Sequence, residues 1–117
     1  MKLIEAKEGI YQGEVRDYNI KTSDRTGLTY INLNITIEVL EYEIDVQKSY
    51  CLDMGKNLPI MKIMEEVDGL DRYGDADFDK LLDYRFMVAM SYDKYGQLVA
   101  DEIEVMMEDE YEEGEDE

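Results

Sequence analysis

The segment from Leu28 to Leu40 alternates apolar and polar residues with a period of two. Its apolar positions are Ile31, Leu33, Ile35, Ile37 and Val39, and asparagine, threonine and glutamate residues stand between them. Because successive side chains of a strand point to opposite faces, this pattern predicts a long strand with one buried face. The chain is therefore expected to build a sheet around this strand.

Two further strands are predicted beside it. Residues 9–22 carry spaced apolar side chains interrupted at Gly13, which predicts a strand bent by a bulge at that glycine. The turn-forming residues 23–27 close a hairpin between this strand and the long one. A tight connection at residues 41–43 leads to a third strand over residues 44–52. The first three strands should form a meander.

The second half of the chain predicts helical structure followed by a hairpin. Pro59 opens an amphipathic segment that Gly69 ends, and a second short helix is expected over residues 76–82 with Asp75 as its N-cap. Residues 84–92 and 98–107 then read as two strands joined by a turn at residues 93–96.

The order of these elements indicates the fold class. Three meandering strands, a helical segment and a hairpin are the order of a mostly β, five-stranded Greek-key barrel, the OB-fold, with the helical segment between strands 3 and 4. An open sheet covered by the helix is the alternative that this order also allows. We expect an OB-like domain over residues 1–107 and a disordered acidic tail over residues 108–117.

Charge restricts the partners that such a domain can bind. The chain has 30 acidic and 12 basic residues and no histidine, a net charge of −18. The last ten residues hold eight of the acids and no base, which leaves −10 on residues 1–107. Such a surface repels nucleic acid at long range, so any polyanion site must be a local patch.

Compartment and catalysis are predicted from what the sequence lacks. Residues 1–9 do not resemble a secretory leader, and no apolar run has the length of a membrane span. These features predict a cytoplasmic protein without membrane association. With no histidine beside the single cysteine, Cys51 is expected to be a small buried hydrophobe, and the protein is expected not to be an enzyme.

Metal binding and cofactors are not expected either. Asp75, Asp77 and Asp79 have the spacing of a calcium loop, but Lys80 stands where that loop needs glycine and Phe86 where it needs glutamate. Capping and solvation of a short helix explain these three aspartates better. No cofactor is predicted.

Ten tyrosines in a chain without tryptophan are the main candidates for binding. On an OB-fold the face of strands 2 and 3, with the loops after strands 1 and 4, binds oligonucleotides. Aromatic rings there can stack on bases while lysine or arginine holds phosphates. Tyrosines are also ordinary strand residues that pack across strands, so each of them has this second interpretation. The residues predicted to form the groove are Arg16, Arg25, Tyr30, Lys48, Tyr50, Lys94 and Tyr95.

Several segments of the chain resemble the phage-type single-stranded-DNA-binding proteins with an OB-fold. They are Gly9-Ile-Tyr-Gln-Gly-Glu-Val15, Thr26-Gly-Leu-Thr-Tyr-Ile-Asn-Leu33, Ile37-Glu-Val39 with Tyr42-Glu43, and Asp83-Tyr-Arg-Phe-Met-Val88. The resemblance covers about residues 8–107. It implies sequence-tolerant binding of single-stranded DNA in replication or recombination, an oligomeric state, and a tail that recruits partner proteins. The tail departs from the bacterial pattern because it ends Gly114-Glu-Asp-Glu117 without an apolar tip.

The resulting hypothesis is a phage or mobile-element single-stranded-DNA-binding protein, located in the host cell cytoplasm if it is phage-encoded. The alternative is an acidic DNA mimic that blocks a nuclease or another DNA-binding enzyme, which the −10 body favours. A third hypothesis is an adaptor that assembles through an exposed strand edge. The tail is either a solvated segment or a polyanion that competes for the groove or docks on a basic partner.

Overall fold

The computed structural model describes residues 7–53 and 59–106. Within them five strands, one α-helix and one 3₁₀ helix follow in the predicted order. They are β1 (Gly9–Thr22), β2 (Thr29–Val39), β3 (Tyr42–Cys51), α1 (Pro59–Glu66), the 3₁₀ helix (Phe78–Asp83), β4 (Arg85–Tyr92) and β5 (Leu98–Val105).

The five strands form one antiparallel sheet in the order β3-β2-β1-β4-β5. β1 is long enough to pair with β4 through its first half and with β2 through most of its length. The sheet curls into a half-barrel whose outermost strands, β3 and β5, come into contact. No strand ladder joins β3 to β5 within the described residues. The predicted fold class, five strands with a helical segment between β3 and β4, is confirmed, and the architecture is compatible with an OB-fold.

The bulge in β1 lies three residues later than predicted. The register with β2 shifts between Val15 and Asp17, so the extra residue is Arg16. Gly13 instead allows a close approach, because a Cβ atom there would lie 2.9 Å from the carbonyl oxygen of Thr36. The glycine marks a contact between strands, and the bulge next to it bends β1.

The core lies on the inner side of the curl. The alternating apolar residues of β2 are buried there as predicted, together with Phe86 and Val88 of β4 and Ile103 of β5. α1 closes this side with its apolar face, from which Ile60, Ile63 and Met64 are buried. The helix thus covers the inner side of the sheet, near the contact between β3 and β5.

Side-chain hydrogen bonds to the backbone mark the start of the second helix and the turn between β4 and β5. The second helix is a 3₁₀ helix and its N-cap is Asp77, whose side chain accepts a hydrogen bond from the backbone of Asp79. The predicted cap, Asp75, instead donates its backbone N–H to Asp71 Oδ1. The turn between β4 and β5 is confirmed, with Asp93 Oδ1 accepting from two backbone N–H groups.

The predicted acidic tail, residues 108–117, lies outside the described residues. In the described parts of the chain, no helix has the length and apolar character needed to cross a membrane.

Candidate nucleic-acid interface

The outer side of β1, β2 and β3 carries polar side chains in aligned rows. Cross-strand pairing sets Lys21 beside Tyr30, Asn19 beside Asn32, and Asp17 beside Asn34. β3 extends these rows with Cys51, Ser49 and Gln47, and adds Asp45 opposite Thr36. We call this surface the polar face; its members are Asp17, Asn19, Lys21, Tyr30, Asn32, Asn34, Thr36, Asp45, Gln47, Ser49 and Cys51.

Hydrogen bonds connect the rows across the three strands. Asn32 Nδ2 donates to Asn19 Oδ1 over 2.9 Å, and the Ser49 hydroxyl donates to Asn32 Oδ1. In the next row Gln47 Nε2 donates to Asn34 Oδ1 over 2.9 Å, and Asn34 Nδ2 donates to Asp17 Oδ1. Because Asn32 and Asn34 are each bonded on both sides, their side chains are held in one arrangement.

Charge changes sign along the polar face. Lys21 and Tyr30 stand at one end, next to the turn that contains Arg25. Asp17 and Asp45 stand toward the other end, with neutral amides and a serine between. Three two-residue steps along β2 separate the row of Tyr30 from that of Thr36, about 20 Å at the usual strand rise. The face thus has an aromatic end that carries Lys21, which we call the basic end, and an acidic end. Asp53 accepts from the Thr29 N–H beside the basic end, and Asp24 precedes Arg25 in the turn.

A hollow of about 760 Å³ opens at the acidic end. Its lining joins side chains of the polar face to the first residues of β5, so the β4–β5 hairpin forms one of its walls. The lining residues are Arg16, Asp17, Asn34, Thr36, Asp45, Val46, Gln47, Leu98 and Val99.

Arg16, predicted to hold phosphate, lies at this hollow and is paired with carboxylates. Its guanidinium is 3.2 Å from Glu14 and 3.7 Å from Glu43, and its side chain is about half exposed. Arg85 continues the network, at 3.2 Å from Glu14 and 3.0 Å from Glu38. Exposed pairs of this kind are worth about 1 kcal/mol or less, so a phosphate could displace them.

Tyr30 lies on the polar face as predicted, half-buried between Lys21 and Cys51. Cys51 is only partly buried, because it too lies on the outer side. Arg25 is exposed in the β1–β2 turn at the same end of the sheet. These positions place one aromatic ring and two basic side chains, Lys21 and Arg25, at one end of the face.

Tyr50 and Lys48 do not lie on this face, contrary to the predicted groove. Tyr50 pairs with Ile31 and Lys48 with Leu33, so both side chains are on the core side of β3. Tyr50 is only 8% exposed, and the Lys48 ammonium lies 5.2 Å from the centre of its ring. Burial raises the pKa of Tyr50 to about 12, although the backbone N–H of Ile103 donates to its hydroxyl. Tyr50 therefore bridges β3 to β5.

Lys94 and Tyr95 lie in the exposed β4–β5 turn. Tyr95 is 77% exposed, and the Lys94 ammonium lies 5.2 Å from the centre of its ring. The turn precedes Leu98 and Val99, which line the hollow. The seven predicted residues are thus divided among the hollow, the basic end of the face, the exposed turn and the core.

Sequence reasoning missed Lys21, Asp17, Asp45 and Gln47 as members of the face. The position of Lys21 beside Tyr30 could have been predicted, because Lys21 lies near the end of the first strand and Tyr30 near the start of the second. Ile44 and Val46 carried another, since they alternate with Asp45 and Gln47 and mark these as outward.

Two aspartates between α1 and the 3₁₀ helix accept hydrogen bonds from backbone N–H groups. Asp71 Oδ1 accepts from the N–H groups of Tyr73 and Asp75, and Asp77 caps the 3₁₀ helix. Among the described residues no group of three metal-ligating side chains converges.

No protein family model, curated protein or solved structure matches this chain. Its function is therefore inferred from the geometry of the polar face and from charge.

Proposed function

We propose that this protein binds single-stranded DNA along the polar face, without strong sequence selection, as part of phage or mobile-element DNA replication or recombination. The observation that carries the proposal is the polar face itself: a tyrosine with two basic neighbours at one end, hydrogen-bonding amides in the middle and a hollow at the other end. Unpaired bases offer both rings to stack and edges to hydrogen-bond.

On this acidic domain, the energy of stacking favours contacts with bases, and electrostatic repulsion disfavours contacts with phosphates. A base stacked on an aromatic ring contributes about 1–3 kcal/mol. Each phosphate contact must instead overcome the repulsion of a negative surface. Binding should therefore rely on Tyr30 and the exposed Tyr95, with Lys21 and Arg25 holding the backbone locally.

Fluorescence anisotropy with a labelled single strand of mixed base composition, at low salt, tests the proposal. Tyr30→Ala should weaken binding roughly five- to 150-fold, which corresponds to the loss of about 1–3 kcal/mol. Tyr30→Phe keeps the ring and should bind as the parent does. Tyr73→Ala removes an exposed tyrosine from the segment between the two helices and should have no effect. Equal losses for Tyr30→Ala and Tyr73→Ala, or none for Tyr30→Ala, would remove the face as the binding site.

Salt dependence tests the phosphate contacts separately. For single strands the logarithmic salt slope changes by about 0.7 per phosphate neutralised. Lys21→Gln should therefore flatten the slope by about that amount, whereas Lys80→Gln, an exposed change of the same charge in the 3₁₀ helix, should leave it unchanged. A version of the chain ending at Met107 shows in the same assay whether the acidic tail competes with DNA.

A DNA mimic is the second candidate, and one observation favours it. Residues 65–83 hold eight acids against the two bases Arg72 and Lys80, a run that includes the end of α1 and the 3₁₀ helix. An acidic surface of this kind would speed association with a basic DNA channel. No binding to any single strand at micromolar protein, together with inhibition of a basic nuclease, would favour the mimic over the proposal.

A further inference from the structure

We infer that the hollow of the polar face prefers bases with an exocyclic amine, and cytosine over thymine, because the charged groups it leaves without an ion-pair partner are acceptors. This inference rests on the proposed function, since it concerns which bases occupy the same face.

Among the described residues, one cation lines the hollow, and its ion pairs are with carboxylates outside it. Arg16 pairs with Glu14 and Glu43, neither of which lines the hollow. The two carboxylates that do line it, Asp17 and Asp45, form no ion pair within the described residues. The hollow therefore presents negative charge to whatever enters it.

Neutral donors hold one oxygen of each carboxylate. The hydroxyl of Thr36, a residue only 7% exposed, donates to Asp45 Oδ1 over 2.8 Å. Asn34 Nδ2 donates to Asp17 Oδ1. Oδ2 of each aspartate has no hydrogen-bond partner in the described part of the chain, so two oriented, charged acceptors remain.

The amides add one neutral acceptor and two neutral donors, so the carboxylates set the polarity of the hollow. Both the oxygen of Asn34 and one of its N–H groups are used within the row, and Gln47 donates one N–H into it. The carbonyl oxygen of Gln47 remains as a third acceptor. Val46, Leu98 and Val99 supply apolar walls against which a base ring can pack.

These acceptors match one set of bases. Cytosine presents its N4 amine as a donor, and aspartate or glutamate is the side chain that accepts from it, whereas thymine presents the O4 acceptor at the same position. Thymine in the hollow would bring its O4 carbonyl toward the two carboxylates, and its one edge donor, N3–H, is flanked by carbonyl oxygens on both sides, which would face a carboxylate that accepted from it. Comparing cytosine with thymine isolates the hydrogen-bonding groups, because both bases are pyrimidines of nearly equal size.

The full chain is titrated with labelled oligo-dC and oligo-dT of equal length at low salt. Oligo-dC should bind about tenfold more tightly than oligo-dT, the difference expected from one hydrogen bond to a charged acceptor. Asp45→Asn and Asp17→Asn retain the oxygen that Thr36 or Asn34 contacts and exchange the other for a donor. Each should reduce the ratio, and the double variant should bring it to one or below.

A matched control separates base preference from net charge. Glu65→Gln removes one negative charge from the exposed side of α1, away from the hollow. It should strengthen binding to both oligonucleotides equally and leave the ratio unchanged. Equal affinity of the parent chain for oligo-dC and oligo-dT, with clear binding to both, would overturn the cytosine preference and leave the proposed function intact. Absence of binding to both, and to the mixed-sequence strand, would overturn both.

Discussion

The burial of Tyr50 should make the free energy of unfolding depend on pH, by an amount that follows from its raised pKa. Its ring is buried on the core side of the sheet, and its hydroxyl accepts from the backbone N–H of Ile103 on β5. Burial raises the pKa of Tyr50 from 10.0 to about 12. Tyr50→Phe keeps the ring and removes the group that titrates, so it isolates the effect of that ionisation on the free energy of unfolding.

The sign follows from proton binding in the two states. In the unfolded chain Tyr50 loses its proton near pH 10, while in the folded chain it keeps the proton to about pH 12. Between these values the unfolded state binds fewer protons, so the free energy of unfolding falls as pH rises. At about 1.4 kcal/mol per pKa unit, the parent protein should lose roughly 2–3 kcal/mol through this residue, and Tyr50→Phe should not.

The assay is urea unfolding followed by far-ultraviolet circular dichroism, at intervals from about pH 8 to pH 12. At the lower end Tyr50→Phe should be less stable by about 0.5–1.5 kcal/mol, because a hydrogen bond is lost. The two stability curves should then converge and cross as pH rises. Tyr42→Phe, a change at an exposed tyrosine, should track the parent throughout. Parallel curves for the parent and Tyr50→Phe would refute the burial of this hydroxyl.

Two further changes test the packing of β1. Gly13→Ala should destabilise the domain by about 1–3 kcal/mol, since the added methyl would meet the Thr36 carbonyl at 2.9 Å, and a gain in stability by urea unfolding would contradict that approach. Tyr18 donates its hydroxyl to Asp79 over 2.7 Å, and this hydrogen bond raises the pKa of Tyr18, with burial and the Asp79 charge adding to the effect. Tyr18→Phe should remove one late-ionising tyrosine from an ultraviolet pH titration, and an unchanged late phase would show that another tyrosine produces it.

Because Tyr50 is buried, its substitution cannot be used to test DNA binding. Alanine at position 50 empties buried volume beside β5 and should cost about 3–5 kcal/mol, as for other large buried aromatic residues. Loss of DNA binding by that variant would therefore report unfolding. Tyr30 and Tyr95, on the polar face and in the β4–β5 turn, are the tyrosines that can report stacking.

Local patterns in the sequence specify the helices and strands and their order. The two-residue period of β2, the apolar spacing after Pro59 and the Asp93-Lys-Tyr-Gly96 turn are signals carried by a few neighbouring residues. The sequence also determined the sign of the charge and the outward position of Tyr30, Asn32 and Asn34, because side chains two apart on a strand share a face.

Pairing between strands that are distant in the chain sets which side chains meet, and no local pattern specifies it. The bulge lies at Arg16 because pairing of β1 with β2 shifts there, and neither strand alone specifies that register. The pairing of Tyr50 with Ile31 set that ring in the core, and the row from Gln47 through Asn34 to Asp17 exists only across three strands. Register between strands depends on contacts between distant residues, and a shift of one residue reverses every side chain.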